Sequence, residues 1–260
     1  MPAYNGEKYI SESIMGILNQ TFKYFEFIIV DDGSTDCTWT IINEFAKNDN
    51  RIILLKNERN LKLSKTLNKA INIARGEYIA RIDCDDWSYP YRLEKQYEFM
   101  ENNLEVGILG SSIEIINPEG KIIGKREYEL NDPDIRKKIF KYSPFCHSSV
   151  IIRKSVLNKS GLYDPYFNPA EDYELYFRIG RYSKFANLKD VLLKYKVVGK
   201  SMTNLFTRQM ELLTVDIRNK YSQEYEMNII DKIYNIFHYI SIFIIPTKFR
   251  VWFFNLFRNI

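Results

Sequence analysis

Cysteine is scarce in this chain of 260 residues, and the three that occur, Cys37, Cys84 and Cys146, lie far apart without a CxxC pair. This usage argues against a disulfide framework, gives no support to a zinc site, and fits a reducing compartment. The opening stretch MPAYNGEKYI also lacks a charged segment followed by an apolar one. We therefore expect no secretory signal and predict a cytoplasmic protein.

An excess of one charge is lacking too, because 37 basic residues stand against 33 acidic ones, for a net charge of +4. This balance argues against nucleic acid as the main partner. No apolar run reaches the roughly 20 residues that a spanning helix needs. Hydrophobic residues nevertheless make up 45% of the chain. That share is enough for the core of one large domain, with or without an appendage.

Short apolar runs alternate with segments of helical period in the first third of the chain. We predict strands at 25–30, 51–55 and 77–82, and helices at 37–48 and 62–75. This alternation predicts an α/β fold with a parallel, doubly wound sheet. Ligands of such sheets bind at the carboxyl ends of the strands.

Two acidic clusters follow predicted strands at those ends, DDGSTD at 31–36 and DCDD at 83–86. The first cluster has an alternative explanation as a tight turn at Gly33 followed by a helix cap at Ser34 or Asp36. A single cluster such as DCDD is most simply a solvated turn, but two clusters at one sheet edge favour a binding site. Carboxylates there suit Mg²⁺ or Mn²⁺, which take one or two protein carboxylates and complete their shell with substrate phosphates.

The order of motifs resembles the family-2 glycosyltransferases of the GT-A fold. The resemblance runs over about residues 1–200, from MPAYNGEKYI through FEFIIVDDGSTD and ARGEYIARIDCDD to HSSVIIRKSVL and NPAEDYELYFR. It implies a GT-A fold, Rossmann-like with a doubly wound mixed sheet, at 1–222, with a nucleotide-binding half to about residue 115. An acceptor half would follow at about 116–222, and a helical tail at 223–260.

The resemblance also implies roles for individual residues. Tyr4 and Asp32 would lie at the nucleotide base, Asp83 would contact the ribose or a metal-bound water, and Asp85 would bind the metal. Two neighbours of these residues, Pro2 and Cys84, complete the nucleotide-sugar-binding set.

Asp172, in the segment AEDYELYFRIGRY (170–182), is the implied catalytic base, with Glu171 beside it. The segment is an amphipathic helix by its period, so both acids fall in its first turn. Their alternative role is to complement the helix dipole. His147 opens a predicted strand, and its simplest role is structural, with a place behind the acceptor site as the alternative.

The chain departs from the family pattern in three places. A short apolar strand usually comes before the P-x-Y-N motif, so the first half of the central strand is expected to be missing here. Lys62 stands where a glycine is common. Processive members carry Q-x-x-R-W after the base, whereas Gln209 has no following Arg-Trp, which favours single-sugar addition.

The tail MNIIDKIYNIFHYISIFIIPTKFRVWFFNLFRNI (227–260) is rich in Ile and Phe, and Lys248, Arg250 and Arg258 follow its apolar run. Its aromatic and basic mixture predicts peripheral contact with the inner face of the cell membrane. The alternative is a helical hairpin packed on the main domain or on a second subunit.

Together these features predict a metal-dependent inverting glycosyltransferase. It would move a sugar from a nucleotide-sugar, a UDP-sugar in preference, to a hydroxyl of a saccharide or lipid-linked saccharide. The first alternative is a catalytically silent protein that binds sugar nucleotides or serves as a scaffold. The second is a phosphatase with a D-x-D nucleophile, which would need that motif on its first strand.

Overall fold

The computed structural model describes residues 1–197, 207–247, 249 and 250. Its strands are β1 Pro2–Ala3, β2 Phe27–Asp31, β3 Ile52–Lys56, β4 Tyr78–Ala80, β5 Trp87–Ser88, β6 Val106–Ile116, β7 Ile122–Arg126, β8 Ile151–Arg153 and β9 Lys184–Lys196. Its helices are α1 Ile10–Leu18, α2 Thr38–Asn48, α3 Leu63–Ile73, α4 Arg92–Asn102, α5 Asp132–Lys138, α6 Lys154–Ser160, α7 Glu171–Ile179, α8 Thr207–Tyr221 and α9 Ile229–Ile244. Two short 3₁₀ helices, His147–Ser149 and Pro165–Phe167, flank β8 and α6.

The described strands form two sheets. In the first, β2 lies between β1 and β3, and all three run parallel. In the second, the order is β4-β8-β6-β9-β5, with β7 paired to β6. Here β6 and β9 run parallel, whereas β8 is antiparallel to both β4 and β6.

The α/β class and the mixed sheet are confirmed, but the expectation of one parallel sheet through residues 77–82 is wrong. β4 pairs along one edge with β8 in antiparallel orientation and makes no ladder with the first sheet. Local periodicity predicts that a strand exists and which faces are buried, but the partner is chosen by contacts distant in sequence.

A cavity of about 380 Å³ separates β2 from β4. Apolar side chains line it from β2, α3 and β4, among them Phe27, Leu67 and Ile79. β1 covers only Val30 and Asp31 of the facing edge of β2. The amino nitrogen of Met1 is buried beside the cavity and donates to the carbonyl of Ile28 at 2.9 Å.

Helices α8 and α9 pack against each other, and α8 also packs on α7. No helix in the described residues is long and apolar enough to cross a bilayer. Lys248 and residues 251–260 lie outside the described part of the chain. They include Lys248 and Arg258, two of the basic residues expected to contribute to membrane contact.

Candidate active site

The loop after β1 and the loop after β2 are joined by hydrogen bonds. Asn5 accepts the backbone N–H of Thr35 at 2.8 Å, and its own N–H donates to the Ser34 hydroxyl at 3.0 Å. Asp36 accepts the N–H of Thr38 at 3.0 Å in the first turn of α2. The N-cap position itself is Cys37 and makes no capping bond with its side chain, so Asp36 holds the helix start from one residue earlier, while Ser34 fixes the P-x-Y-N loop. This arrangement leaves the Tyr4 side chain about half exposed at the strand ends.

Asp32 is buried where β2 ends, and its Oδ1 accepts the side-chain amide of Asn57 at 2.7 Å and the N–H of Leu61 at 2.8 Å. These bonds attach the loop after β3 to the end of β2. Gly33 has a φ of +73°, and a Cβ there would lie 2.6 Å from the backbone of Arg59. Only glycine fits so close an approach.

Lys62 adopts a φ of 70° at the start of α3. This left-handed backbone is costly for a residue with a Cβ, and glycine adopts it freely. The departure from the glycine of the family pattern therefore keeps the loop geometry at the cost of local strain.

The carboxylates of Asp83, Asp85 and Asp86 offer oxygens within 4.8 Å of one another. The positive charge of Arg81 partly offsets theirs, because its buried guanidinium forms an ion pair with Asp83. Burial and then the charge of Asp83 raise the pKa of Asp85 to about 6. Crowded carboxylates of this kind favour a divalent cation, which relieves their repulsion. The donor set of hard oxygens therefore fits Mg²⁺ or Mn²⁺.

Asp86 differs from its two neighbours in its surroundings. It is buried, its Oδ1 accepts the backbone N–H of Lys196 at 2.9 Å, and the Ser148 hydroxyl also bonds to it. The same hydroxyl accepts the N–H of Asp83 at 2.9 Å. Asp86 thus ties the DCDD loop to β9 and to the 3₁₀ helix, whereas Asp83 and Asp85 stay partly exposed.

Glu171 and Asp172 lie in the first turn of α7, as the helical period predicts. Glu171 is only 2% exposed, whereas Asp172 is partly exposed. Burial, and then the charge of Asp172, raise the pKa of Glu171 to about 8, and burial raises the pKa of Asp172 as well. Arg81 opposes both rises, and Asp83 contributes to them. The acids of α7 and those of the DCDD loop therefore share one electrostatic environment around Arg81.

His147 opens a 3₁₀ helix and not a strand, and its Nε2 lies 2.8 Å from the hydroxyl of Tyr163. Burial and the nearby Arg81 hold the pKa of His147 well below its usual value. A neutral, hydrogen-bonded histidine fits the structural role.

Pro2 begins the P-x-Y-N motif, and Cys84 lies next to the residue that follows the motif, Gly6. Pro2 pairs with Val30 within the first sheet. The thiol of Cys84 faces Gly6, where an added Cβ would come within 3.1 Å of it. Burial raises the pKa of Cys84, so the thiol stays protonated and serves as a packing group.

Sequence reasoning missed the residues that hold the acids in place. No motif in the sequence assigns a role to Arg81, yet it is buried and forms an ion pair with Asp83. Arg92 is fully buried and donates to the carbonyl of Arg81 at 2.6 Å. Ser148 and Lys196 come from distant segments, so no local pattern could have indicated them.

The sequence model described as glycosyl transferase family 2 matches residues 1–161. The chain is 36% identical over 207 residues to the O-antigen biosynthesis glycosyltransferase WbnJ of Escherichia coli, which covers 77% of this chain and 79% of that protein. The chain belongs to glycosyl transferase family 2. The resemblance on which the predicted fold and activity rest is thereby confirmed.

Solved structures of low sequence identity share the fold. S. aureus TarS 1–349 in complex with UDP-GlcNAc aligns with a TM-score of 0.71 at 22% identity, over 85% of this chain and 65% of that one. The mannosyltransferase PcManGT from Pyrobaculum calidifontis, in complex with GDP-Man and Mn²⁺, aligns with a TM-score of 0.66 at 18% identity, over 85% and 62%. These matches confirm the GT-A fold.

Proposed function

We propose that this protein transfers a single sugar, with inversion, from a nucleotide-sugar to a hydroxyl of a saccharide or lipid-linked saccharide. One observation carries the proposal. The buried guanidinium of Arg81 forms an ion pair with Asp83, and its charge also acts on Asp85, Glu171 and Asp172. A donor diphosphate bound through a cation on Asp83 and Asp85 would present its sugar towards the acids of α7.

The chemistry needs one carboxylate that takes the proton of the acceptor hydroxyl as its oxygen attacks the anomeric carbon. Asp172 fits this role better than Glu171 does. With a pKa of about 8, Glu171 holds its proton at neutral pH. It is also almost fully buried, whereas Asp172 is partly exposed and can reach an acceptor.

Asp85, with Asp83 beside it, would hold Mg²⁺ or Mn²⁺. A bound cation would neutralise the charge that grows on the departing diphosphate. We assign Asp83 also to the ribose, and Tyr4 and Asp32 to the base. Tyr4 and Asp32 follow the carboxyl ends of the parallel strands β1 and β2, where ligands of such sheets bind.

A UDP-sugar is the donor we favour, since the TarS structure that shares the fold holds UDP-GlcNAc. The saccharide acceptor is supported by WbnJ, whose name places it in O-antigen biosynthesis. We place the reaction at the inner face of the cell membrane, with residues 1–222 as the catalytic domain and 223–260 as the tail.

Nucleotide release tests the proposal directly. UDP should form when a UDP-sugar and a saccharide acceptor are mixed with the protein, and the anomeric configuration of the product reports inversion. Binding of UDP-sugars without any release would support the silent sugar-nucleotide-binding protein. Phosphate release without sugar transfer would support the phosphatase.

Substitutions within the DCDD loop separate metal binding from folding. Asp85→Asn should weaken Mg²⁺- or Mn²⁺-dependent binding of UDP far more than Asp86→Asn, because the Oδ1 of Asp86 is already bonded to the N–H of Lys196. Calorimetry with UDP, with and without EDTA, measures the difference. Equal UDP affinity in both conditions for the parent protein would contradict the metal assignment.

A further inference from the structure

Helix α9 has its polar side inward and its apolar side outward. The side packed on the protein carries Asp231 and Asn235, both buried, together with His238. Arg218 of α8 lies 2.9 Å from Nδ1 of His238, and Asn235 donates to Asn219 at 2.8 Å. This is the reverse of an ordinary surface helix, which buries its apolar stripe.

The outward side of α9 is almost entirely apolar and exposed. At about 100° per residue, its exposed isoleucines and phenylalanines fill an arc of about 140° around the helix axis. The central side chains of this arc are Ile233, Ile236, Phe237, Ile240, Phe243 and Ile244, with exposures from 44% to 74%. We call this surface the α9 arc. Water is a poor solvent for it, so another phase or partner must cover it.

The borders of the α9 arc are aromatic and basic. Tyr234 and Tyr239 lie at its two edges, and such side chains favour a boundary between an apolar and an aqueous phase. Lys232 is exposed near one border, and Arg208 lies over the ring of Phe243 at 5.2 Å. Asp231, the only acid of α9, is turned inward and buried.

From this arrangement we propose that the α9 arc lies in the interface of a lipid bilayer with anionic headgroups. The only acid of α9, Asp231, is buried on the opposite side, so the exposed charges beside the arc, Lys232 and Arg208, are both positive. Lipid surrounds the whole arc, and the bordering cations match anionic headgroups. The helix has 16 residues, about 24 Å, so it lies along the surface and does not span the core.

This proposal goes beyond sugar transfer and does not rest on the donor chemistry. It assigns the membrane contact expected from the tail sequence to one defined surface of the protein. The binding face is the outward arc of α9, and the polar side is the one that attaches the helix to α8.

Flotation of the full chain with vesicles tests the proposal. The parent protein should float with vesicles of phosphatidylcholine that contain phosphatidylglycerol. The double variant Ile236→Glu with Ile240→Glu should lose at least about ten-fold in vesicle partitioning, since two isoleucines lose their burial in lipid. Both side chains are exposed, so the melting temperature should stay unchanged.

Leu104→Glu is the matched control, because Leu104 is 73% exposed and lies just after α4, outside the α9 arc. This variant should float like the parent protein. Failure of the parent to float, or flotation of the double variant, would overturn the proposal. So would a parent dimer in analytical ultracentrifugation that the double variant disperses, since a second copy would then cover the arc.

Discussion

Asp172→Asn should lower turnover by about 10²–10⁴-fold, the usual contribution of a positioned general base. Asparagine keeps the size and much of the hydrogen bonding of the side chain but cannot take a proton. The dissociation constant for the nucleotide-sugar should change little, since we place Asp172 on the acceptor side. Steady-state turnover and donor calorimetry on the parent and the variant measure both quantities.

Glu171→Gln is the matched control for this substitution. Glu171 holds a proton at neutral pH because burial raises its pKa to about 8, so glutamine imitates the form already present. We therefore expect a much smaller loss of turnover. The two side chains also point about 100° apart around the helix axis.

The two variants separate catalysis from structure. A fully active Asp172→Asn enzyme would contradict the assignment of the base and would move it to Glu171 first. Melting curves decide the remaining case. If Asp172→Asn is inactive because it no longer folds, the acid serves the helix and its dipole, and the catalytic role fails.

Local sequence patterns were sufficient for the first half of the fold. The predicted helix at 37–48 is α2, Thr38–Asn48, and the predicted strand at 51–55 is β3, Ile52–Lys56. These elements bury one face or both, so their side-chain period follows directly from the backbone. The partner of β4 was not predictable in this way, because β8 lies about 70 residues further along the chain.

The candidate site was predictable in its acids and not in its supports. Asp83, Asp85 and Asp172 attract attention because acidic groups at strand and helix ends suit phosphate and proton chemistry. Arg81 does not, since an arginine in a strand is ordinarily solvated, and only the folded chain reveals that it is buried among carboxylates. The hydrogen bonds from Ser148 and Lys196 to Asp86 connect three segments that are distant in sequence, so no local pattern predicts them.

The tail shows where periodicity misleads. An apolar stripe on a helix normally predicts the buried face, and by that rule α9 would have packed through its isoleucines. It packs through Asn235 and His238 instead, because the buried guanidinium of Arg218 on α8 needs polar partners.

Filling the cavity between β2 and β4 should stabilise the protein by several kcal/mol. The change is an extension at Met1 of about four β-branched residues, which would continue β1 along both unpaired edges. Burying each side chain contributes about 1.5–3 kcal/mol, and ordering each residue costs about 1–2 kcal/mol. At the middle of these ranges four residues contribute about 9 kcal/mol and cost about 6 kcal/mol, which leaves about 3 kcal/mol before new ladder hydrogen bonds are counted, or about 6–12 °C in melting temperature.

The extension should also change how stability depends on pH. Burial, and then the charge of Arg81, lower the pKa of the Met1 amine to about 5 from an ordinary value of 8. Above pH 8 the Met1 amine is neutral in both the folded and the unfolded chain. As the pH falls towards 5, the unfolded chain gains the proton first, so the folded state loses about 1.4 kcal/mol per pH unit. An amide in place of the amine removes this loss.

A Gly-Ser extension of equal length separates the two effects. It converts the Met1 amine to an amide but supplies no apolar side chain for the cavity. Relative to the parent, both extended proteins should therefore lack the decline in stability that Met1 contributes between pH 8 and pH 5, and only the β-branched extension should melt higher at pH 8. Denaturant unfolding at several pH values measures both. If the β-branched and Gly-Ser proteins melt together at pH 8, the cavity does not accept a strand, and its apolar lining serves packing alone.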